Sequence, residues 1–103
     1  MMEEVPFDPT WNAVAAVMNE RARQDRLKAE GRFEFTCADD GMPLLGALAA
    51  LGEEYGEVCT EALASQRLVT DGEGTPQALR KELVQVAAVA VAWVEKLDRH
   101  LAE

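Results

Sequence analysis

The segment Leu44–Ala64 constrains the fold most, because it places a row of carboxylates on a strongly apolar helix. Large apolar side chains recur along it at steps of three and four, which predicts an amphipathic helix. A second stripe with the same spacing begins with alanines and continues as Glu54, Glu57 and Glu61. Like charges at this spacing destabilise an isolated helix by a few tenths of a kcal/mol per pair, and a bound cation would offset that repulsion.

Two interpretations of this acidic helix stay open at the level of the residues. The acids are either solvated surface groups or ligands of Mg²⁺ or Mn²⁺, the ions that clustered carboxylates suit best. Gly52 and Gly56 favour a functional site, because each costs about 1 kcal/mol relative to Ala within a helix. Several local rules broken together mark the place where a functional site is expected.

Length and charge exclude several classes of protein. The 103 residues predict one domain spanning residues 1–103. A net charge of −9 argues against non-specific binding to nucleic acid polymers or to anionic membranes. The start of the chain is acidic where a secretory signal would be basic, and the longest apolar run, Val86–Val94, is too short to span a bilayer. We therefore expect a soluble cytoplasmic protein in which Cys37 and Cys59 are reduced thiols.

Capping patterns predict three helices after an extended segment at residues 1–7. Asp8 and Thr75 each precede a proline, so each is a good N-cap for a helix that begins with that proline. Gly31 is a typical residue after a helix end. The predicted helices cover about residues 9–30, 43–66 and 76–102, which indicates an all-α fold.

The third predicted helix carries too much apolar surface for one short chain to cover. From Leu83 to Val94 only Gln85 is not apolar, and a helix that is apolar all round has to be covered all round. Its valines also permit a strand, but its length, its alanines and the absence of helix breakers favour a helix. Because two other helices can hardly cover it, we predict a helical bundle completed by homo-oligomerisation.

Polar residues elsewhere suggest partners for the acidic helix. Glu82 and Gln85 stand three apart near the start of the third helix, where Glu82 either faces solvent or meets a cation. The first helix presents Arg21, Gln24 and Lys28 on one face, which is either a solvated charged surface or a strip for a polyphosphate. Phe33 and Phe35 in the following loop are either packing residues or the flanks of a planar base; of these, packing is the more common role.

Taken together, these residues resemble a known family. Glu53-Glu54-x-x-Glu57 followed by Glu82-x-x-Gln85 is similar to the EExxE…ExxD motif of the MazG-like all-α nucleotide pyrophosphohydrolases, and residues 20–28 and 79–89 are similar to their first and third helices. The resemblance implies an all-α fold and an obligate homodimer or homotetramer. It also implies a Mg²⁺-dependent hydrolase that cleaves a (d)NTP to the monophosphate and pyrophosphate, as in house-cleaning of the nucleotide pool.

The resemblance also implies roles for individual residues. Glu54, Glu57 and Glu82 would be metal ligands, and Glu53 a ligand or the group that orients the attacking water. Arg21, Gln24 and Lys28 would lie toward the nucleotide. Gln85 occupies the fourth ligand position, where the family usually has Asp; an amide oxygen can ligate Mg²⁺ but adds no charge, so we expect weaker metal binding.

Two other functions compete with this hypothesis. A non-catalytic helical oligomer, acting as a nucleotide sensor or a protein-interaction module, would also explain the helices, and Gln85 favours it. A di-iron carboxylate bundle requires Glu-x-x-His pairs. The only histidine is His100, and the residue three before it is Leu97, so the sequence excludes that second alternative.

Overall fold

The computed structural model describes residue 3 and residues 8–103 of the chain. Within them it contains three α-helices and no strand: α1 (Pro9–Ala29), α2 (Leu44–Ser65) and α3 (Pro76–Leu101). The all-α prediction is therefore confirmed, and each helix end lies within one residue of its predicted position. Except for residue 3, the predicted extended segment at 1–7 lies outside the described residues. No helix in the described part is both long and apolar enough to cross a membrane.

Both predicted N-caps form. The Asp8 carboxylate accepts a hydrogen bond from the backbone N–H of Trp11 at 2.9 Å, and the Thr75 hydroxyl accepts one from the N–H of Ala78 at 3.1 Å. A proline occupies the first turn of both helices, where its missing N–H costs nothing. These local contacts explain why the starts of α1 and α3 follow from the sequence alone.

Helix α3 is the centre of the fold. Helices α1 and α2 both pack against α3 and, within the described residues, not against each other. Ala47 near the start of α2 shares a buried cluster with Ala92 near the end of α3, so these two helices run antiparallel. A gap therefore remains between α1 and α2, and α3 lines its base.

The core that one chain builds is thin and consists mainly of small side chains. Ala15, Ala47, Ala88 and Ala92 are 0% exposed, whereas no large side chain is fully buried among the described residues. The radius of gyration is 15.0 Å, compared with about 13 Å for a compact domain of this length. The small residues let the helices approach closely but bury little apolar area.

Much of the large apolar surface consequently stays exposed. On α2, Leu44, Leu48 and Tyr55 are 65%, 55% and 58% exposed, because the stripe that contacts α3 is the neighbouring one that runs from Ala47 to Glu61. On α3, Leu83 and Val94 are also exposed. The described chain alone does not cover α3 on every side.

Glu61 stabilises the turn between α2 and α3 through hydrogen bonds. Its buried side chain accepts hydrogen bonds from the backbone N–H groups of Glu73, at 3.1 Å, and of Gly74, at 2.8 Å. Gly74 has φ +69°, and a Cβ there would lie 2.7 Å from backbone atoms of Ala64, so only glycine fits. The last acid of the predicted acidic line thus has a structural role.

We predict that Glu61→Ala lowers the free energy of unfolding by about 2 kcal/mol, because two backbone donors lose a charged acceptor. This loss outweighs the relief of repulsion between Glu61 and Glu82. Urea unfolding monitored by circular dichroism measures the change. The control is Glu73→Ala, which keeps both amide donors and the Glu61 carboxylate; equal losses in the two variants would contradict this role for Glu61.

Candidate metal centre

Three carboxylates from two helices converge where α2 packs against α3. Glu54 and Glu57 are one turn apart on α2, and Glu82 faces them from α3; one oxygen from each lies within 4.8 Å of the other two. In octahedral coordination of Mg²⁺, opposite oxygens are about 4.2 Å apart. Neighbouring oxygens of that octahedron are about 3 Å apart, so three carboxylates at most 4.8 Å apart are close to the spacing that one ion requires. The oxygen-only donor set fits Mg²⁺ or Mn²⁺.

The crowding of these acids changes their protonation. The pKa of Glu54 rises to about 7, first because burial disfavours the carboxylate and then because of the charges of Glu57 and Glu82. The pKa of Glu82 is also raised, by burial and then by its hydrogen bond with Glu57. Protonation neutralises part of the negative charge of the cluster, and a bound divalent cation would compensate that charge instead.

Gln85 lies with the acids, one turn beyond Glu82. In the amide orientation that satisfies its neighbours, the side-chain nitrogen donates to Glu54 Oε2 at 3.1 Å and to Glu82 Oε2 at 2.9 Å. Gln85 thus joins the two helices as a hydrogen-bond donor. Its predicted role as a metal ligand requires the amide to rotate so that the oxygen faces the ion.

The acidic cluster opens into a cavity of about 460 Å³ between α1 and α2. Glu53 is exposed and lines this cavity beside Glu54 and Glu57, outside the group of three that can share an ion. Gln24 of α1 lines the same cavity. Glu53 and Gln24 therefore share one concave surface with Glu54 and Glu57.

The loop between α1 and α2 closes one end of the cavity with aromatic rings. Phe33 and Phe35 line it and are 42% and 36% exposed. A Cβ on Gly41 would lie 2.6 Å from the ring of Phe35, so the ring can pack only against a glycine. Phe35 thus packs against Gly41, and both rings keep exposed surface.

Several polar contacts hold this loop in place. Lys28 of α1 pairs with Asp39 at 2.6 Å, and Asp39 in turn accepts from the N–H of Thr36 at 2.7 Å. From α3, Lys96 donates to the carbonyl of Met42 at 2.8 Å, and Arg99 donates to the carbonyl of Ala38. The loop is thus tied to both neighbouring helices.

The structure does not bring Arg21 and Lys28 to the cavity. Arg21 is 5% exposed, and its guanidinium pairs with Glu95 at 2.6 Å and with Asp25 at 2.5 Å, so it joins α1 to α3. Lys28 is engaged by Asp39 of the loop. Neither side chain points at the acids, and any role toward a nucleotide would require these ion pairs to open.

Glu20 and Arg23 are residues that the sequence analysis missed. Both line the cavity, and one Arg23 nitrogen donates to both Glu20 oxygens at 3.0 Å. The charge of Glu20 contributes to the raised pKa of Glu54, which confirms that it lies near the acidic cluster. Their i,i+3 spacing on α1 predicts that the two side chains are neighbours, but it does not predict which face of α1 lies toward the acids.

Comparisons with protein-family models, with curated proteins and with solved structures found no match to this chain. The case for a function therefore depends on the geometry of the site and on the resemblance of its motif.

We predict that stability without metal falls as pH rises through the folded-state pKa of Glu54. A pKa raised to about 7 means that the folded protein holds this proton more tightly than the unfolded chain, so the contribution is complete below about pH 4.5 and is lost as pH rises toward 7 and above. Binding of Mg²⁺ or Mn²⁺ at pH 7 should expel about half a proton from Glu54.

Melting temperatures from pH 5 to 8, with chelator or with metal, measure the first effect, and calorimetry in buffers of different ionisation enthalpy measures the second. Glu54→Gln should reduce both effects, leaving the contribution of Glu82, whose pKa is also raised, whereas Glu103→Gln, at an exposed position, should change neither. Metal binding without proton release from the parent protein would contradict the prediction.

Proposed function

We propose that this chain is a metal-dependent nucleoside triphosphate pyrophosphohydrolase of the MazG-like all-α type, which cleaves between the α- and β-phosphates. The observation that carries the proposal is the convergence of Glu54, Glu57 and Glu82 from two helices within 4.8 Å. The all-α fold and the motif resemblance support it. Control of the nucleotide pool by house-cleaning is the biological role that this chemistry suggests.

Each part of the site has a task in this reaction. Glu54, Glu57 and Glu82 would hold Mg²⁺, which when bound neutralises phosphate oxygens and the developing charge of the leaving group. Glu54 belongs to the cluster, and Glu53 lines the cavity beside it. These two carboxylates are the candidates to orient the attacking water and to accept its proton.

The cavity supplies a place for the rest of the nucleotide. Its aromatic end offers Phe33 and Phe35 to a base, while the acids at the other wall would face the phosphates through the metal. Without a cation the same acids would repel a triphosphate. The negative charge of the site therefore predicts that the metal ion and the nucleotide bind together.

A nucleotide sensor is the second candidate, and one observation favours it. The Gln85 amide satisfies Glu54 and Glu82 by hydrogen bonds, so the acids are partly stabilised without metal. A protein of this kind would bind nucleotide in the cavity and release no pyrophosphate.

We predict pyrophosphate release from at least one nucleoside triphosphate in the presence of Mg²⁺ or Mn²⁺. Glu54→Gln should lower the rate by about a hundredfold or more, because it removes a metal ligand and a proton acceptor. Gln85→Asp should tighten metal binding by supplying a fourth anion in place of a donor. Product analysis over a panel of ribo- and deoxyribonucleotides tests the first two statements, and a metal titration tests the third.

Glu103→Gln is the matched control, since it removes a carboxylate at an exposed position outside the cavity. Nucleotide binding without any pyrophosphate release would favour the sensor. Release that is unaffected by Glu54→Gln would show that the acidic cluster is not the catalytic centre.

We further propose that the protein is a homodimer or homotetramer in which α2 provides part of the interface. Leu44, Leu48 and Tyr55 form an exposed apolar face on this helix. Gly52 and Gly56 lie beside it, and a Cβ at either position would meet nothing within 4 Å, so another backbone can approach closely there. A surface of this kind rarely stays exposed on a monomer, and a second copy buries it symmetrically.

We predict that light scattering at micromolar concentration gives at least twice the mass of one chain. Leu48→Asp should dissociate the oligomer, because the side chain is 55% exposed in the single chain and would be charged within the interface. Val89 cannot serve as the probe, since it is buried inside one chain. Thr10→Asp, at an exposed position on α1, is the control; a monomeric parent protein would contradict the proposal.

A further inference from the structure

A second concave surface lies between α1 and the first half of α3. It is lined by Arg23 and Arg26 of α1 and by Arg80 and Lys81 of α3, and its volume is about 520 Å³. We call these four side chains and the space between them the basic groove. Only one carboxylate, that of Glu20, is among the residues that line it, so the groove is locally cationic on a chain of net charge −9.

The basic groove continues directly from the acidic cavity. Glu20, Arg23 and Gln85 line both concave surfaces. Phe33 and Phe35 line only the cavity, and the other cations line only the groove. Aromatic rings, carboxylates and cations therefore follow one another in that order across the surface.

This order matches the chemical polarity of a nucleoside triphosphate. A base fits aromatic rings, phosphates that must be cleaved need a metal held by carboxylates, and the terminal phosphates need cations. In this order, the cations of the basic groove correspond to the terminal phosphates. Arg26 and Lys81 are exposed, and Arg26 makes a long contact to Glu30, at 3.7 Å.

We propose that the basic groove is a diphosphate site, which holds the terminal phosphates of the substrate and then the pyrophosphate product. The inference deepens the proposed function and rests on it. It also assigns phosphate binding to cations on a surface that is continuous with the cavity, whereas Arg21 and Lys28 line neither of the two concave surfaces.

The test uses Mg²⁺-pyrophosphate as the probe in isothermal titration calorimetry. The double variant Arg26→Gln with Lys81→Gln removes one cation from each wall of the groove, at exposed helical positions where Gln is well tolerated. We expect at least about a tenfold loss of pyrophosphate affinity, because charge-assisted contacts to phosphate are lost. Affinity for a nucleoside monophosphate, which lacks the terminal phosphates, should change by less than about threefold.

The control double variant is Arg32→Gln with Arg67→Asn, which removes the same charge outside the groove; Asn tolerates the positive φ of Arg67, 59°. Equal losses in the two double variants, or no loss in the groove variant, would overturn the inference, as would a parent protein that binds no pyrophosphate. The assay requires no turnover, so a parent protein that cleaves no nucleotide but shows the expected affinities would refute the proposed function alone.

Discussion

Mutual repulsion among Glu54, Glu57 and Glu82 is the constraint on which the rest of the site depends. The free energy of packing α2 against α3 has to hold three carboxylates together, and the raised pKa values of Glu54 and Glu82 record part of that cost. A proton on Glu54 and the hydrogen bonds from the Gln85 amide reduce this repulsion. A site that is destabilised in this way gains most from a divalent cation, because metal binding relieves the repulsion.

The thin core and the acidic cluster have a common origin. Small side chains at Ala47, Ala88 and Ala92 allow the helix backbones to approach closely, which brings the glutamate carboxylates of the two helices together. The use of small residues where the helices touch leaves the larger apolar residues on the outside, so one chain buries little of its own apolar surface. In the proposed oligomer, assembly and formation of the site would be linked through packing, since a partner that covers α2 would also stabilise the helix that carries two of the three acids.

Local physics determines what could be predicted from this sequence. The helix bounds follow from caps such as Asp8 and Thr75, whose partners are three residues away, and the grouping of Glu54 with Glu57 follows from helical spacing. The placement of Arg21 could not be predicted, because its partner Glu95 lies 74 residues further along the chain. Arg21 and Arg23 are two positions apart on α1 and therefore point to nearly opposite sides of that helix. The rotation of α1 about its axis, which tertiary packing sets, decides which of them faces the acids. The role of Glu61 could not be predicted either, because the loop that it holds has no periodic pattern.

Gln85 determines how far this site departs from a four-carboxylate centre. An aspartate at its position would add repulsion and make the cluster depend more strongly on metal, whereas the amide donates to Glu54 and Glu82 and stabilises the metal-free state. Metal must then displace two hydrogen bonds as well as a proton before it binds. We therefore expect the amide of Gln85 to lower metal affinity while it stabilises the metal-free fold. In the proposed enzyme, metal and nucleotide would bind most favourably together, because the phosphates supply the negative charge that Gln85 lacks.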